Sequence, residues 1–226
     1  MNRTPAGSPK FHAPTVERLI DWLRHPQLET VMAEAAGELA GGAAEDALWA
    51  ACAFTACRYV NNQAHNLLGF VSHAMIGCED ARRLAAGQSE RTRHLLILQS
   101  LYQTAMDLHD PCFSPYELLP FWPLPVDEVS EAIRQLRSDI RFGEYSRVDH
   151  RFVGLAERME RAELVDLLLE IGLEGVTTDD HTIISPVLVL GLMELVGWEG
   201  GFDMLRWTLR YNASFPLNRA PYERAV

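Results

Sequence analysis

Apolar residues recur at spacings of three and four through almost the whole chain, and this regularity restricts the fold more than any motif does. Val16, Leu19, Ile20 and Leu23 keep it, as do Leu28, Val31, Met32, Ala35 and Leu39, and later Val129, Ile133, Leu136 and Ile140. Such spacing places each set on one face of an α-helix. The segments end at His25-Pro26, Gly41-Gly42, Gly87, Asp110-Pro111, Gly143 and Gly197. Glycine accepts the left-handed turn that closes a helix, and proline disfavours helix in the residue before it. Alternating β-branched runs bounded by turn residues are absent. The pattern predicts an all-α fold, a compact array of antiparallel helical hairpins with about ten helices.

Two stretches echo each other. Val60-Asn61-Asn62-Gln63-Ala64-His65 leads into an apolar segment and then Gly77-Cys78-Glu79, while Val176-Thr177-Thr178-Asp179-Asp180-His181 leads into a longer one and then Gly197-Trp198-Glu199. His65 to Gly77 spans twelve positions and His181 to Gly197 sixteen, a difference of about one helical turn. This suggests an internal duplication, with a first module over about 43–110 and a second over about 146–212. Between them runs PCFSPYELLPFWPLP, where five prolines interleave with Phe113, Tyr116, Phe121 and Trp122. Prolines at that density exclude regular structure and the aromatics exclude a solvated linker, so 111–125 reads as a long packed loop. Residues 1–14 read as a flexible arm, 15–212 as a single helical domain with Thr15 capping its first helix, and 213–226 as a tail.

A formal charge of −11 and a pI near 5.2 argue against nucleic acid or an anionic membrane as partner, because both are bound by basic surfaces. The longest apolar run, Ile183 to Val196, is interrupted by Ser185 and Glu194 and is too short to span a bilayer. The expectation is a soluble cytoplasmic protein, free to form homo-oligomers. Cys52, Cys57, Cys78 and Cys112 fall in no C-x-x-C spacing and read as reduced residues, mostly of the core.

No P-loop, G-x-G-x-x-G, G-x-S-x-G or H-E-x-x-H is present, which leaves histidine as the carrier of any chemistry. On one helical face Asn62, His65, Asn66, Gly69 and His73 form a stripe without any ordinary surface charge, as expected of residues lining a polar cavity. With Trp122 from the loop, these are the candidate pocket residues. The repeat-related His65 and His181 are the candidate catalytic pair. His65, His109, Asp110, His150 and His181 form a candidate metal set, since helical bundles place imidazole ligands on facing helices. A metal ion or haem is the cofactor such residues would hold. The simpler use of each is as a core or helix-end histidine satisfied by a backbone carbonyl. Asp179 and Asp180, next to His181, read as helix caps, because helical neighbours do not face each other. Ser146-x-x-Asp149 reads as a capping box. Arg91 and Arg93, beside His94, are placed either to bind an anion or to pair with Glu79, Asp80 or Glu90.

His65-Asn66-Leu67-Leu68, followed by an apolar stretch and Gly77-Cys78-Glu79, resembles a helix opening of questin-oxidase-like proteins, an all-helical family tied to oxidative ring cleavage of polyketides. The resemblance covers about a tenth of the chain and implies a role for His65 in oxidative chemistry. The first His of that family's usual pair falls here on Asn62 or Gln63. Leu108-His109-Asp110, at the end of a long apolar helix with His65 or His73 upstream, is similar to the metal-binding dipeptide of HD-domain phosphohydrolases, although Pro111 departs from their pattern. The expectation is a His-dependent enzyme, oxidoreductase-like, acting on a small organic molecule in a pocket between the two modules. The alternatives are an HD-like phosphohydrolase and a non-catalytic helical scaffold or binding protein.

Overall fold

A computed structural model describes residues 13–62 and 71–214. The described residues form ten helices and no strand: α1 (Ala13–Leu23), α2 (Leu28–Ala40), α3 (Glu45–Tyr59), α4 (Ala74–Ala85), α5 (Glu90–His109), α6 (Val129–Arg141), α7 (Tyr145–Ala156), α8 (Arg161–Gly175), α9 (His181–Val196) and α10 (Trp198–Ser214). The fold is all-α. No described helix is long and apolar enough to cross a membrane. The chain divides into two compact units.

The first unit takes its residues from Met1–Asn61, Ser72–Glu117 and Leu190–Phe202. Its centre is α3, in contact with α1, α4 and α5. Ala47, Ala50, Ala51, Ala53 and Ala56 are all buried, so small residues surround α3 and let three helices approach it closely. Charged clamps tie its edges: Arg18 to Glu38 at 3.0 Å, Arg58 to Glu17 at 2.8 Å and Arg93 to Glu45 at 3.0 Å. Arg93 therefore pairs with none of the three carboxylates expected from sequence. Glu79, fully buried, instead receives Arg82 and Arg83, each at 2.7 Å. The long helix α5 buries Ile97, Ser100, Leu101, Thr104 and Ala105, while Leu95, Tyr102 and Met106 face outward.

Gly77 lies inside a helix rather than at its end. α4 begins at Ala74, where Ser72 Oγ accepts the Ala74 amide at 3.1 Å and donates to Asp107 of α5 at 2.7 Å. It then runs through Gly77-Cys78-Glu79 to Ala85. Gly197, the corresponding glycine of the echoing stretch, has φ 82° and does end α9. The two stretches thus differ in local structure over the residues described. The polar stripe on 63–70, with His65, Asn66 and Gly69, lies outside the described residues, as do 1–12 and 215–226.

The second unit comprises Asn62–Val71, Leu118–Val189 and Asp203–Val226. Its apolar core takes Leu136 and Ile140 from α6, Val148, Phe152 and Leu155 from α7, and Leu164, Leu168 and Ile171 from α8. The α8–α9 turn is tight: Thr182 Oγ1 donates to the carbonyls of Gly172 and Asp179 at 2.9 and 2.7 Å. A side chain at Gly172 or Gly175 would collide with Thr182. α9 starts at His181 and carries Pro186 inside it. Proline leaves the carbonyl four residues back without its helical donor, and Asn212 of α10 supplies one, Nδ2 to Thr182 O at 3.3 Å.

Candidate functional site

His181 opens α9 in the second unit, directly after the turn that carries Asp179 and Asp180. Asp179 lies outside the helix, so the rule that helical neighbours face apart does not apply to it. One of its oxygens, Oδ1, accepts the His181 amide at 2.9 Å and the His181 ring Nδ1 at 2.8 Å. The other, Oδ2, accepts the Tyr211 hydroxyl at 2.7 Å. Asp179 is therefore a cap and an orienting partner at once, where the sequence suggested only the cap. Asp180 Oδ1 also approaches Nδ1, at 3.2 Å.

Burial pushes the Asp179 carboxyl up, but the bonds from Tyr211 and from the His181 amide and ring outweigh it and hold it below the usual aspartate range. Burial, reinforced by Asp179, raises the Tyr211 phenol well above its ordinary value and keeps it a donor. A carboxylate accepting at Nδ1 selects the tautomer with the proton there, which makes Nε2 the basic nitrogen of the neutral ring. The His181 side chain is one-quarter exposed, while Tyr211 is fully buried.

Asp179, Asp180 and His181 also present three ligand atoms within 4.8 Å of one another, the one such group among the described residues. The other described members of the candidate metal set make local contacts. His109 donates from Nε2 to the His25 carbonyl at 3.0 Å, Asp110 accepts the Cys112 amide at 2.8 Å, and His150 Nδ1 meets the Trp122 carbonyl at 2.6 Å. Both histidines thus follow the simpler expectation of a backbone carbonyl as partner. Of the candidate pocket residues, Asn62 is buried with Nδ2 on the Trp207 carbonyl at 2.6 Å, whereas His73 and Trp122 are exposed, Trp122 edge-on to His150. A helical stripe predicts a shared face only while the chain stays helical, and residues 71–73 are not helical.

Sequence reading missed a second cluster in this unit. Asp149 is fully buried on α7 rather than capping it, since the helix already starts at Tyr145. Arg206 and Arg210 of α10 approach its two oxygens at 3.6 and 3.5 Å, too long for hydrogen bonds, and neither oxygen has a hydrogen-bond partner among the described residues. Burial pushes the Asp149 carboxyl up to about 6 against the pull of both arginines. Arg206 also donates to the Leu119 carbonyl at 3.0 Å and covers the Phe121 ring at 4.2 Å, which fastens the proline-rich loop. Two signals were legible: Asp149 falls in the apolar phase of Val148 and Phe152, and Arg206 and Arg210 share one face of their helix.

Comparison with protein-family models, curated proteins and solved structures finds no match to this chain.

Proposed function

We propose that the protein is a His-dependent enzyme in which His181, oriented by Asp179, exchanges a proton with a small organic substrate. The observation that carries this reading is the 2.8 Å bond from Nδ1 to a carboxylate whose other oxygen is held by Tyr211. A carboxylate so placed stabilises the imidazolium formed when Nε2 takes a proton, which is how an Asp–His pair serves a general base. The substrate class is a molecule with a weakly acidic O–H or C–H bond, such as a phenol or an enolisable ketone. Proton removal from such a bond is the step the pair can supply, so reactions that begin with it are the first to screen.

The test is a screen of phenols and cyclic ketones with the intact protein, followed by His181→Ala and Asp179→Asn on any substrate that turns over. Loss of kcat by about 10²–10⁴ in His181→Ala supports general acid–base catalysis. Full activity in both variants sinks the reading.

A further inference from the structure

The first unit holds a cleft of about 200 Å³ lined by Arg24, Tyr59, Leu108, His109, Ser114 and Tyr116. That is the liquid volume of roughly seven waters, room for one ring bearing an acid group. Its polar lining is rich in donors. The Arg24 guanidinium lies over the Tyr59 ring at 4.3 Å. A guanidinium held over a ring face keeps N–H donors available, and its fork of donors matches carboxylate or phosphate. Among the described residues Arg24 has only a loose ion pair, 4.0 Å to the exposed Asp21, whereas Arg18, Arg58 and Arg93 are held at 2.8–3.0 Å by glutamates. The Ser114 hydroxyl, on the same lining, makes no hydrogen bond to the described residues. Asp110, next to His109, points an oxygen to the Cys112 amide.

We infer that this cleft binds a small organic anion, a carboxylate or phosphate carried on a flat ring, with Arg24 as its charge partner and Ser114 as an added donor. His109, suggested by sequence as a metal ligand, is here one wall of an anion site, its ring fixed by the bond to the His25 carbonyl. The formal charge of −11 opposes any anion, so binding at this cleft depends on local donors rather than on long-range attraction.

The test is an NMR chemical-shift titration of the full chain with benzoate, phenyl phosphate, neutral benzamide and inorganic phosphate. Saturable shifts at cleft residues are expected with benzoate or phenyl phosphate. Arg24→Gln should weaken them roughly ten- to hundredfold and Ser114→Ala a few-fold, as loss of a charge-assisted and a neutral hydrogen bond would. A circular-dichroism melt confirms that each variant is folded, and if Arg24→Gln is not, Arg24→Lys is used. Benzamide binding as tightly as benzoate, unchanged affinity in the arginine variant, or no saturable shift with either ring anion overturns the proposal. Inorganic phosphate matching phenyl phosphate overturns the part assigned to the ring.

Discussion

Tyr211 donates to the oxygen of Asp179 opposite the one that holds His181, at 2.7 Å, from a position with no solvent exposure. The phenol therefore fixes the carboxylate and, through it, the imidazole. Tyr211→Phe keeps the ring and removes only the hydroxyl. Its expected cost is about 1 kcal/mol of stability, the net value of one hydrogen bond, read as a lower urea midpoint with an unchanged slope. A midpoint equal to that of the parent protein would show that this bond contributes nothing.

The Asp179 carboxylate should also determine which nitrogen of His181 carries the proton. In the parent protein the neutral ring is expected with its proton on Nδ1, facing Oδ1 at 2.8 Å. Asp179→Ala removes that acceptor and should move a substantial share of the population to the Nε2–H tautomer. Long-range ¹⁵N–¹H correlation spectra of the neutral ring distinguish the two, and a parent ring already protonated on Nε2 would refute the orienting role.

Asp149 makes stability depend on pH in an unusual sense. Its carboxyl is pushed from 3.8 to about 6 by burial, despite Arg206, Arg210 and His150 nearby. The fold therefore holds this proton more tightly than the unfolded chain, so the contribution is favourable at low pH and is lost as pH rises from about 4 through 6. Over the whole titration the change is about 3 kcal/mol. Asp149→Asn does not titrate. Urea melts at pH 4.5 and pH 8 should show the variant gaining about 2 kcal/mol on the parent protein between them. A difference that stays constant with pH would place the Asp149 carboxyl in the ordinary range.

The helices were legible because local chemistry sets them. The four-residue face of α1 is buried as its spacing predicts, and Gly143 and Gly197, at φ 70° and 82°, stop α6 and α9 by the backbone freedom that marks them in the sequence. The site was legible only in part. His181 is named by its type and its place before an apolar helix, but its partner Asp179 depends on a turn whose shape spacing does not encode. Asp149 was hidden for a different reason. Its charge partners lie far downstream on α10, and Ser146-x-x-Asp149 imitates a cap so closely that a local explanation sufficed. The phase of α5 was obscured by its abundance of leucine: close packing against its neighbours selects the face with Ser100, Thr104 and Ala105, leaving Leu95 and Tyr102 outside.

Pro186 and Asn212 should be energetically coupled. The proline deprives Thr182 O of its helical donor, and the Asn212 amide, buried at 0 % exposure, fills the gap at 3.3 Å while also donating to Thr208 O at 3.1 Å. Asn212→Ala alone is expected to cost about 1–3 kcal/mol, because it strands a buried carbonyl. In a Pro186→Ala background the alanine amide donates to Thr182 O within the helix, and the same Asn212→Ala change should cost less by about 0.5 kcal/mol or more. The four-membered cycle of urea melts isolates that difference, and an equal cost in both backgrounds would show that Asn212 acts through Thr208 alone.

Two glycines give opposite expectations for the same added methyl group. A Cβ at Gly154 would run into the backbone carbonyl of Leu124, which cannot swing aside as a side chain can, because Leu124 N is itself bonded to His150 O at 3.0 Å. Gly154→Ala should therefore destabilise by about 1–3 kcal/mol, the usual cost of overpacking, and loosen the proline-rich loop from α7. A Cβ at Gly37, inside α2, would meet nothing within 4 Å. There alanine only reduces the freedom of the unfolded chain and favours the helix, so Gly37→Ala should stabilise by about 0.5–1 kcal/mol. Thermal melts rank the two variants on either side of the parent protein. If Gly154→Ala melts with or above it, Leu124 does not lie against α7 as described.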